Sequence, residues 1–267
     1  MHDVPETHLG GMAAERHGGT NPRPPLVLLH GLTYDRRQWG PVLRELAAVD
    51  PGRRVLALDL PGHGGSPRRD SYDLPELVEA VHAAVTEAGL DAPVLVGHSF
   101  GGVLATSYAA RYPAREVVNI DQRLLVGNFG AALRRVEPVL RGPGWAEVWD
   151  SMLARMHIDL LPPAARELVR TATTPRQDLL LGYWHEILTR PAEELGAERE
   201  RELAVLRSRG VAYRYVTGDE PDPAYRRWLE STLPAVTITV LPRSGHFPHL
   251  AHPAEVAAML AGTAGPA

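Results

Sequence analysis

Short, nearly continuous apolar runs recur along the chain, separated by longer segments in which apolar and polar positions alternate with helical periodicity. The runs occupy residues 26–29, 55–58, 93–96, 117–120, 211–217 and 237–241. Runs of this length are typical of strands buried on both faces of a sheet. Their alternation with helical segments predicts an α/β fold, with a mostly parallel sheet and right-handed crossovers.

The segments between the runs carry helix end signals. Pro41 opens the helix predicted over residues 41–49, because proline is favoured at the first helical position. Gly89 ends the helix predicted over residues 74–88, since glycine readily takes the left-handed conformation that follows a helix. Further helices are predicted over residues 100–112 and 253–260.

Two parts of the chain lack this alternation. The first 24 residues are rich in glycine, proline and polar side chains, and predict at most one short edge strand, at residues 11–17. Residues 123–195 have helical patterns with proline breaks and no strand-like run. We therefore expect a core of residues 1–122 and 196–267 with a helical cap insertion of residues 123–195. The insertion is rich in large apolar side chains: Trp145, Trp149, Met152, Met156, Tyr183 and Trp184.

Composition narrows the function classes. The chain has 267 residues, 44% of them hydrophobic, which suits a globular unit with a sizeable core. Lys and Arg number 28 against 32 Asp and Glu, a formal net charge of -4, without a basic face for nucleic acid or membranes. Cysteine is absent, which excludes disulfides and thiolate chemistry. With no visible export signal or membrane span, we expect a cytoplasmic protein. The oligomeric state is not indicated.

A candidate nucleophile lies between a predicted strand and a predicted helix. Residues 97–101, Gly-His-Ser-Phe-Gly, match the pattern G-x-S-x-G in the context that this motif requires. A sharp strand-to-helix turn raises the Ser99 hydroxyl above the sheet. It also places that hydroxyl at a helix N-terminus, where free N–H groups favour a developing oxyanion. The same residues could alternatively form only a tight turn.

Two further segments complete a catalytic set. The loop His30-Gly31-Leu32 follows the first buried strand, and we expect the backbone N–H groups of Leu32 and Phe100 to form an oxyanion hole. We expect the side chain of His30 itself to be structural. His246 follows the last strand, on a loop that can bring its imidazole to Ser99 as general base.

His246, His249 and His252 could in principle bind a metal together. Pro248 and Pro253 interrupt the helix that would align them, and no carboxylate follows at a ligand spacing. The sequence therefore predicts no metal and no cofactor.

The oxyanion loop, the nucleophile and the histidine follow one another in this order along the chain. Two further features accompany them: Trp39, which follows His30-Gly31, and residues 59–66, Asp-Leu-Pro-Gly-His-Gly-Gly-Ser. Together these segments resemble the α/β-hydrolase family over roughly residues 26–260. The resemblance implies an α/β-hydrolase sheet with flanking helices and a cap, and a serine hydrolase of the esterase or lactonase type. It implies a small-molecule substrate and neither nucleic acid nor membrane as partner.

Three carboxylates compete to orient the histidine, and all lie between Ser99 and His246 in the chain. Asp121 ends the strand after the nucleophile helix, whereas Asp219 and Asp222 follow the next strand. Many family members carry the acid after that later strand, three residues past a glycine, where this chain has Pro221. Haloalkane dehalogenases and zearalenone lactonases carry it on the earlier strand. Asp121 is thus favoured, Asp222 comes next, and a polar turn is the alternative for both later residues.

The reaction expected from these groups is acyl transfer to water through an acyl-enzyme on Ser99. The tail at residues 241–248 also resembles the zearalenone lactonases, so a lactone of that type is the most specific substrate expectation. C–C bond hydrolysis, perhydrolysis and a non-catalytic ligand-binding role are the alternatives. Candidate substrate-binding residues are Gly31, Tyr34, Trp39, His157 and Trp184.

Overall fold

The computed structural model describes residues 7–19 and 21–263. One eight-stranded sheet forms its centre. The strands are β1 (Thr7–Leu9), β2 (Met12–His17), β3 (Leu26–Leu29), β4 (Val55–Leu58), β5 (Val94–His98), β6 (Glu116–Ile120), β7 (Ala212–Thr217) and β8 (Thr237–Val240). Their order across the sheet is β1-β2-β4-β3-β5-β6-β7-β8.

The neighbouring strands β4, β3, β5, β6, β7 and β8 pair in parallel. The β1–β2 and β2–β4 pairs are antiparallel. The predicted mostly parallel α/β fold is therefore confirmed. The N-terminal segment differs from the expected single edge strand, because β1 and β2 form a hairpin. Gly10 and Gly11 connect them with φ of 56° and 76°, the left-handed conformation that a tight hairpin turn requires.

Helices occupy most of the chain between the strands. They are α1 (Gly40–Val49), α2 (Leu74–Glu87), α3 (Phe100–Arg111), α4 (Gly127–Arg141), α5 (Trp145–Ala154), α6 (Pro163–Thr171), α7 (Gln177–Tyr183), α8 (His185–Thr189), α9 (Ala192–Ser208), α10 (Pro223–Thr232), α11 (Pro248–Ala251) and α12 (Pro253–Ala261). Helices α4 to α8 lie in the predicted insertion, whereas α9 packs on α3.

Each face of the sheet has its own apolar core. One face is covered by α1 and α12, and its cluster includes Leu28, Trp39 and Leu260. The other face is covered by α2, α3 and α9, and its cluster continues into the insertion. The central strands β3 to β6 are buried on both sides, because the crossovers place helices on both faces. The carboxyl ends of the parallel strands therefore form the accessible edge where a site can develop.

A smaller apolar cluster joins the insertion to the core. Leu161, Ala165 and Val169, in or beside α6, pack with Tyr34, Phe247 and Leu250 from the core loops. The backbone of Tyr34 also forms an isolated antiparallel bridge with Thr173. Within residues 7–19 and 21–263, no helix is both long enough and apolar enough to cross a bilayer.

Candidate active site

Ser99 lies on a sharp turn between β5 and α3. Its φ of 51° and ψ of -125° are strained for a residue with a side chain. Two glycines allow the turn. A Cβ at Gly97 would lie 2.0 Å from the carbonyl oxygen of Gly101, and a Cβ at Gly101 would lie 2.3 Å from that of Leu29. The motif glycines are thus required by close backbone packing.

The loop after β3 passes directly beside this turn. A Cβ at Gly31 would lie 3.0 Å from His98 Nδ1 and 3.1 Å from the Cβ of Ser99, so a side chain here would crowd both residues. Among the described residues, the amides of Leu32 and Phe100 donate to no protein acceptor. Two free N–H groups on the segments that flank Ser99 are the donors that an oxyanion hole needs.

Two buried histidines hold this loop in place. Leu60 N–H donates to His30 Nε2 at 2.9 Å, and Thr33 N–H donates to His63 Nε2 at 2.9 Å. Because Nε2 accepts in both rings, each ring carries its proton on Nδ1. In His30 this nitrogen lies 2.8 Å from the carbonyl oxygen of Gly31. Burial lowers the pKa of His30 and holds the pKa of His63 well below its usual value. The expected structural role of His30 agrees with these contacts.

His246 contacts a carboxylate at the end of a neighbouring strand. Its Nδ1 lies 2.7 Å from Asp121 Oδ2, and the two side chains are 20% and 19% exposed. The other ring nitrogen is left free for a substrate or for Ser99. In the described part of the chain, the Ser99 hydroxyl forms no hydrogen bond with a protein group. Such contacts often close only when substrate binds.

Asp121 is fixed from the adjacent strand. It follows β6, and its other oxygen, Oδ1, accepts from Thr217 Oγ1 at 2.8 Å and from Gly218 N–H at 3.3 Å. Burial acts to raise the pKa of Asp121, but the hydrogen bond and charge of His246, with the Thr217 and Gly218 bonds, hold it below its usual value. An ionised carboxylate therefore faces the imidazole.

The two alternative carboxylates lie elsewhere. Asp222 is the N-cap of α10, where it accepts from the amides of Ala224 and Tyr225, and it pairs with Arg123 at 2.5 Å. Asp219 is exposed. Of the three candidates, Asp121 is the one that contacts His246. The polar turn expected at Asp222 is instead a capped helix start.

Two predicted pocket residues lie close to the catalytic segments. Tyr34 is buried, with its ring 6.5 Å from His98 and 5.7 Å from Phe247. Burial raises the pKa of its hydroxyl. His157 is exposed and takes a left-handed φ of 54°. A Cβ at Gly245 would lie 2.9 Å from the Cβ of His157, so this residue borders the loop of His246.

Trp39, a predicted substrate-binding residue, lies in the apolar core. Trp39 ends a 3₁₀ turn, is 0% exposed and packs against His249 in the core beneath α1. Trp184 is 7% exposed and packs against Phe129 within the insertion. Both tryptophans stabilise apolar packing, because a large ring contributes most when it is fully buried.

Other residues near the site were not predicted. Tyr183 packs edge-on against Phe100 with ring centroids 4.8 Å apart, and its hydroxyl donates to the Pro61 carbonyl at 2.8 Å. Met156 accepts from the His246 amide through its carbonyl at 3.0 Å. The only sequence signal for either residue was the aromatic and methionine content of the insertion.

The described residues do not form a metal centre. No group of three or more His, Asp or Glu side chains in residues 7–19 and 21–263 could hold an ion. His246 and His249 are directed to different partners, since His246 contacts Asp121 and His249 packs between Trp39 and His98.

This arrangement of strands, turn and loops is that of a known family. The model of the alpha/beta hydrolase family matches residues 26–259. The chain belongs to the alpha/beta hydrolase family.

Curated relatives match parts of the chain. An sn-1-specific diacylglycerol lipase from Xenopus tropicalis is 35% identical over 117 residues, which are 43% of this chain and 36% of the relative. The human (lyso)-N-acylphosphatidylethanolamine lipase is 31% identical over 142 residues, 51% of this chain and 40% of the relative. The matched segment spans less than half the length of either relative.

Solved structures share the fold over nearly the whole chain. A variant of AqdC, described as recognising and cleaving the ring of the Pseudomonas quinolone signal, superposes with a TM-score of 0.77 at 20% identity, covering 96% of this chain and 97% of that one. A thermophilic esterase from Thermogutta terrifontis has a TM-score of 0.71 at 22% identity, covering 96% of each chain. At these identities the likeness extends to the fold alone.

Proposed function

We propose that this protein is a serine hydrolase that cleaves carboxylic esters or lactones. One observation carries the proposal: the His246–Asp121 pair, at 2.7 Å, stands at the same sheet edge as the strained turn of Ser99. A serine hydroxyl is a weak nucleophile without a base, and an imidazole needs a carboxylate to hold its tautomer. The three residue types and their chain order match this requirement.

The reaction proceeds in two halves. Ser99 attacks the carbonyl carbon while His246 takes its proton, and the oxyanion accepts from the Leu32 and Phe100 amides. His246 then protonates the leaving alkoxide, which departs and leaves an acyl-enzyme. Water attacks this ester, giving its proton to His246, and Ser99 leaves with that proton. Asp121 stabilises the imidazolium formed in each half.

The substrate proposal rests on the apolar groups around Ser99. Phe100 and Tyr183 form an aromatic pair, and Met156 lies above the His246 loop. These side chains suit an apolar acyl or aryl group. Two of the partial relatives are lipases, and the likeness of the chain's tail to the zearalenone lactonases favours an aryl-fused lactone as the most specific candidate.

A fluorophosphonate probe tests the chemistry before the substrate is known, because it reacts with activated serines. We expect covalent labelling at Ser99 and hydrolysis of p-nitrophenyl acetate, with short and long esters and a lactone panel ranking the substrates. Ser99→Ala should lose labelling and lower kcat by on the order of 10⁵–10⁶-fold. Ser208→Ala, an exposed serine at the end of α9, is the matched control and should behave as wild type. A folded protein that is neither labelled nor active would overturn the proposal.

A second candidate is suggested by the unbonded hydroxyl of Ser99. His246, oriented by Asp121, could abstract a proton from a substrate directly, with the two amides stabilising the resulting oxyanion. In that reaction Ser99 forms no covalent bond. Ser99→Ala would then retain turnover of the true substrate, whereas His246→Ala would abolish it.

A further inference from the structure

His98, the residue before Ser99, contacts the loop that carries His246. It is the last residue of β5 and is fully buried. Its Nε2 lies 2.7 Å from the carbonyl oxygen of His246. A carbonyl can only accept, so Nε2 carries the hydrogen and donates it. The ring also packs beside Phe247, with centroids 5.3 Å apart.

This bond leaves the other side of the ring unsatisfied. With the proton on Nε2, Nδ1 of His98 is a bare acceptor, and it is buried without a partner among the described residues. His249 packs against the His98 ring with centroids 4.4 Å apart, and Trp39 packs against His249. Both ring nitrogens of His249 and Nε1 of Trp39 are also buried without a partner among the described residues. An apolar side chain would avoid this cost. Such local conflicts are expected where a side chain serves the site rather than stability.

The surroundings favour the neutral ring. Burial, followed by the nearby His249 and His246, holds the pKa of His98 well below its usual value. Tyr34 faces the ring from the loop after β3, and His30 acts on it electrostatically in the same direction as the other histidines. No carboxylate contacts the ring in the described structure.

The backbone of His246 is held on both sides. Its N–H donates to the carbonyl of Met156 at 3.0 Å, and its own carbonyl accepts from His98. These two bonds fix the peptide groups that flank the Cα of His246. The imidazole position then depends on side-chain rotation alone.

We propose that His98 is a positioning residue for His246, acting through the hydrogen bond to its carbonyl. This inference rests on the proposed function. Loss of the donor releases the 246–247 peptide and lets the imidazole move away from Ser99. A displacement of about 1 Å can reduce turnover by about 100-fold, because proton transfer requires close alignment.

Three variants separate this role from simple packing. His98→Phe keeps an aromatic ring but has no donor, His98→Leu keeps apolar volume, and His98→Gln keeps an N–H donor. With p-nitrophenyl acetate we expect kcat of the Phe and Leu variants to fall about 100-fold while KM changes less than about threefold. His98→Gln should recover about tenfold of that loss. Equal kcat in all three variants, with melting temperature near wild type, would overturn the proposal.

A measurement on the wild-type protein does not depend on the variants folding. The ¹⁵N chemical shifts of the His98 ring report which nitrogen carries the proton. We expect the Nε2–H tautomer, and an Nδ1–H tautomer would overturn the proposal, since Nε2 could not then donate. If wild-type protein is neither labelled at Ser99 nor active on p-nitrophenyl acetate, the proposed function fails instead. The two failures are therefore distinguishable.

Discussion

Asp121 shows how one carboxylate can be selected over others that are close in sequence. Its Oδ1 is occupied by Thr217 and Gly218 on the neighbouring strand end, which leaves Oδ2 directed to His246. The residue itself has φ of 53°, a conformation that Asp tolerates better than most side chains. The neighbouring strand thus determines which oxygen faces the imidazole.

Asp121→Asn should reduce kcat by on the order of 10⁴-fold, because an amide at this place favours the wrong tautomer of His246 and cannot stabilise its charge. Steady-state kinetics with p-nitrophenyl acetate measures the loss. Asp219→Asn is the control and should leave kcat within about twofold of wild type, since Asp219 is exposed and does not contact His246.

Asp222→Ala provides a second control with a different readout. It removes an N-cap, so the free energy of unfolding should fall by about 1 kcal/mol while kcat stays unchanged. If Asp222→Ala or Asp219→Asn lost activity as severely as Asp121→Asn, the assignment of the acid would move to the later loop.

At the scale of single residues, the sequence predicted which strand end carries a residue better than it predicted where the side chain points. Ser99, His246 and Asp121 each follow a strand, and the ends of parallel strands meet at one edge, so topology alone brings them near one another. The burial of Trp39 could not be predicted, because the direction of its side chain depends on a 3₁₀ turn that hydrophobic periodicity does not reveal.

Among the elements, helix α10 lies in a segment whose polar residues do not show a clear helical pattern in the sequence. No helix is predicted here from hydrophobic periodicity, although Asp222 and Pro223 are a typical N-cap followed by a first-turn proline. The parallel strands β3 to β8 were predicted nearly to the residue, because their apolar runs are short and end abruptly. The helices of the insertion have no such sharp limits, and their bounds required the structure.

The loop between β8 and α11 depends on Gly245. Its φ is 51°, and a Cβ there would lie 2.4 Å from the Met156 carbonyl oxygen that binds the His246 amide. Gly245→Ala should therefore weaken folding by more than the roughly 1 kcal/mol of left-handed strain alone and should lower kcat by at least about tenfold. Chemical denaturation and steady-state kinetics measure the two effects.

Gly89→Ala is the matched control for this substitution. Gly89 has φ of 66° and open space around it, so the same strain arises without a clash. We expect a loss of about 1 kcal/mol in unfolding free energy and unchanged kcat. Equal effects of the two variants on stability and activity would show that the contact between this loop and Met156 is not important.

At the scale of the whole molecule, four buried histidines within residues 7–19 and 21–263 share a lowered pKa. Burial lowers the pKa values of His30, His63, His98 and His249, the last to about 3. In the unfolded chain each of these histidines binds a proton with the ordinary histidine pKa of about 6.5, whereas the folded chain holds the rings neutral at that pH. The unfolded state is therefore favoured as pH falls below that value.

The free energy of unfolding should accordingly fall between pH 6.5 and pH 5, by about 1.5 kcal/mol for His249, whose pKa is about 3, and further through the other three histidines. Urea denaturation at several pH values measures the slope. His249→Phe should reduce that slope by about one proton, because it removes one of the titrating groups. His8→Asn is the control, since His8 is exposed. Identical slopes for wild type and His249→Phe would contradict the assignment.

The hydrogen bond from the His246 amide to the Met156 carbonyl ties the loop of the proposed general base to the segment of residues 123–195. A displacement of the turn at Met156 and His157 must therefore either break this bond or move the His246 amide with it. In both cases the imidazole loses a backbone anchor, so a change in the position of this turn would be felt directly at the proposed base.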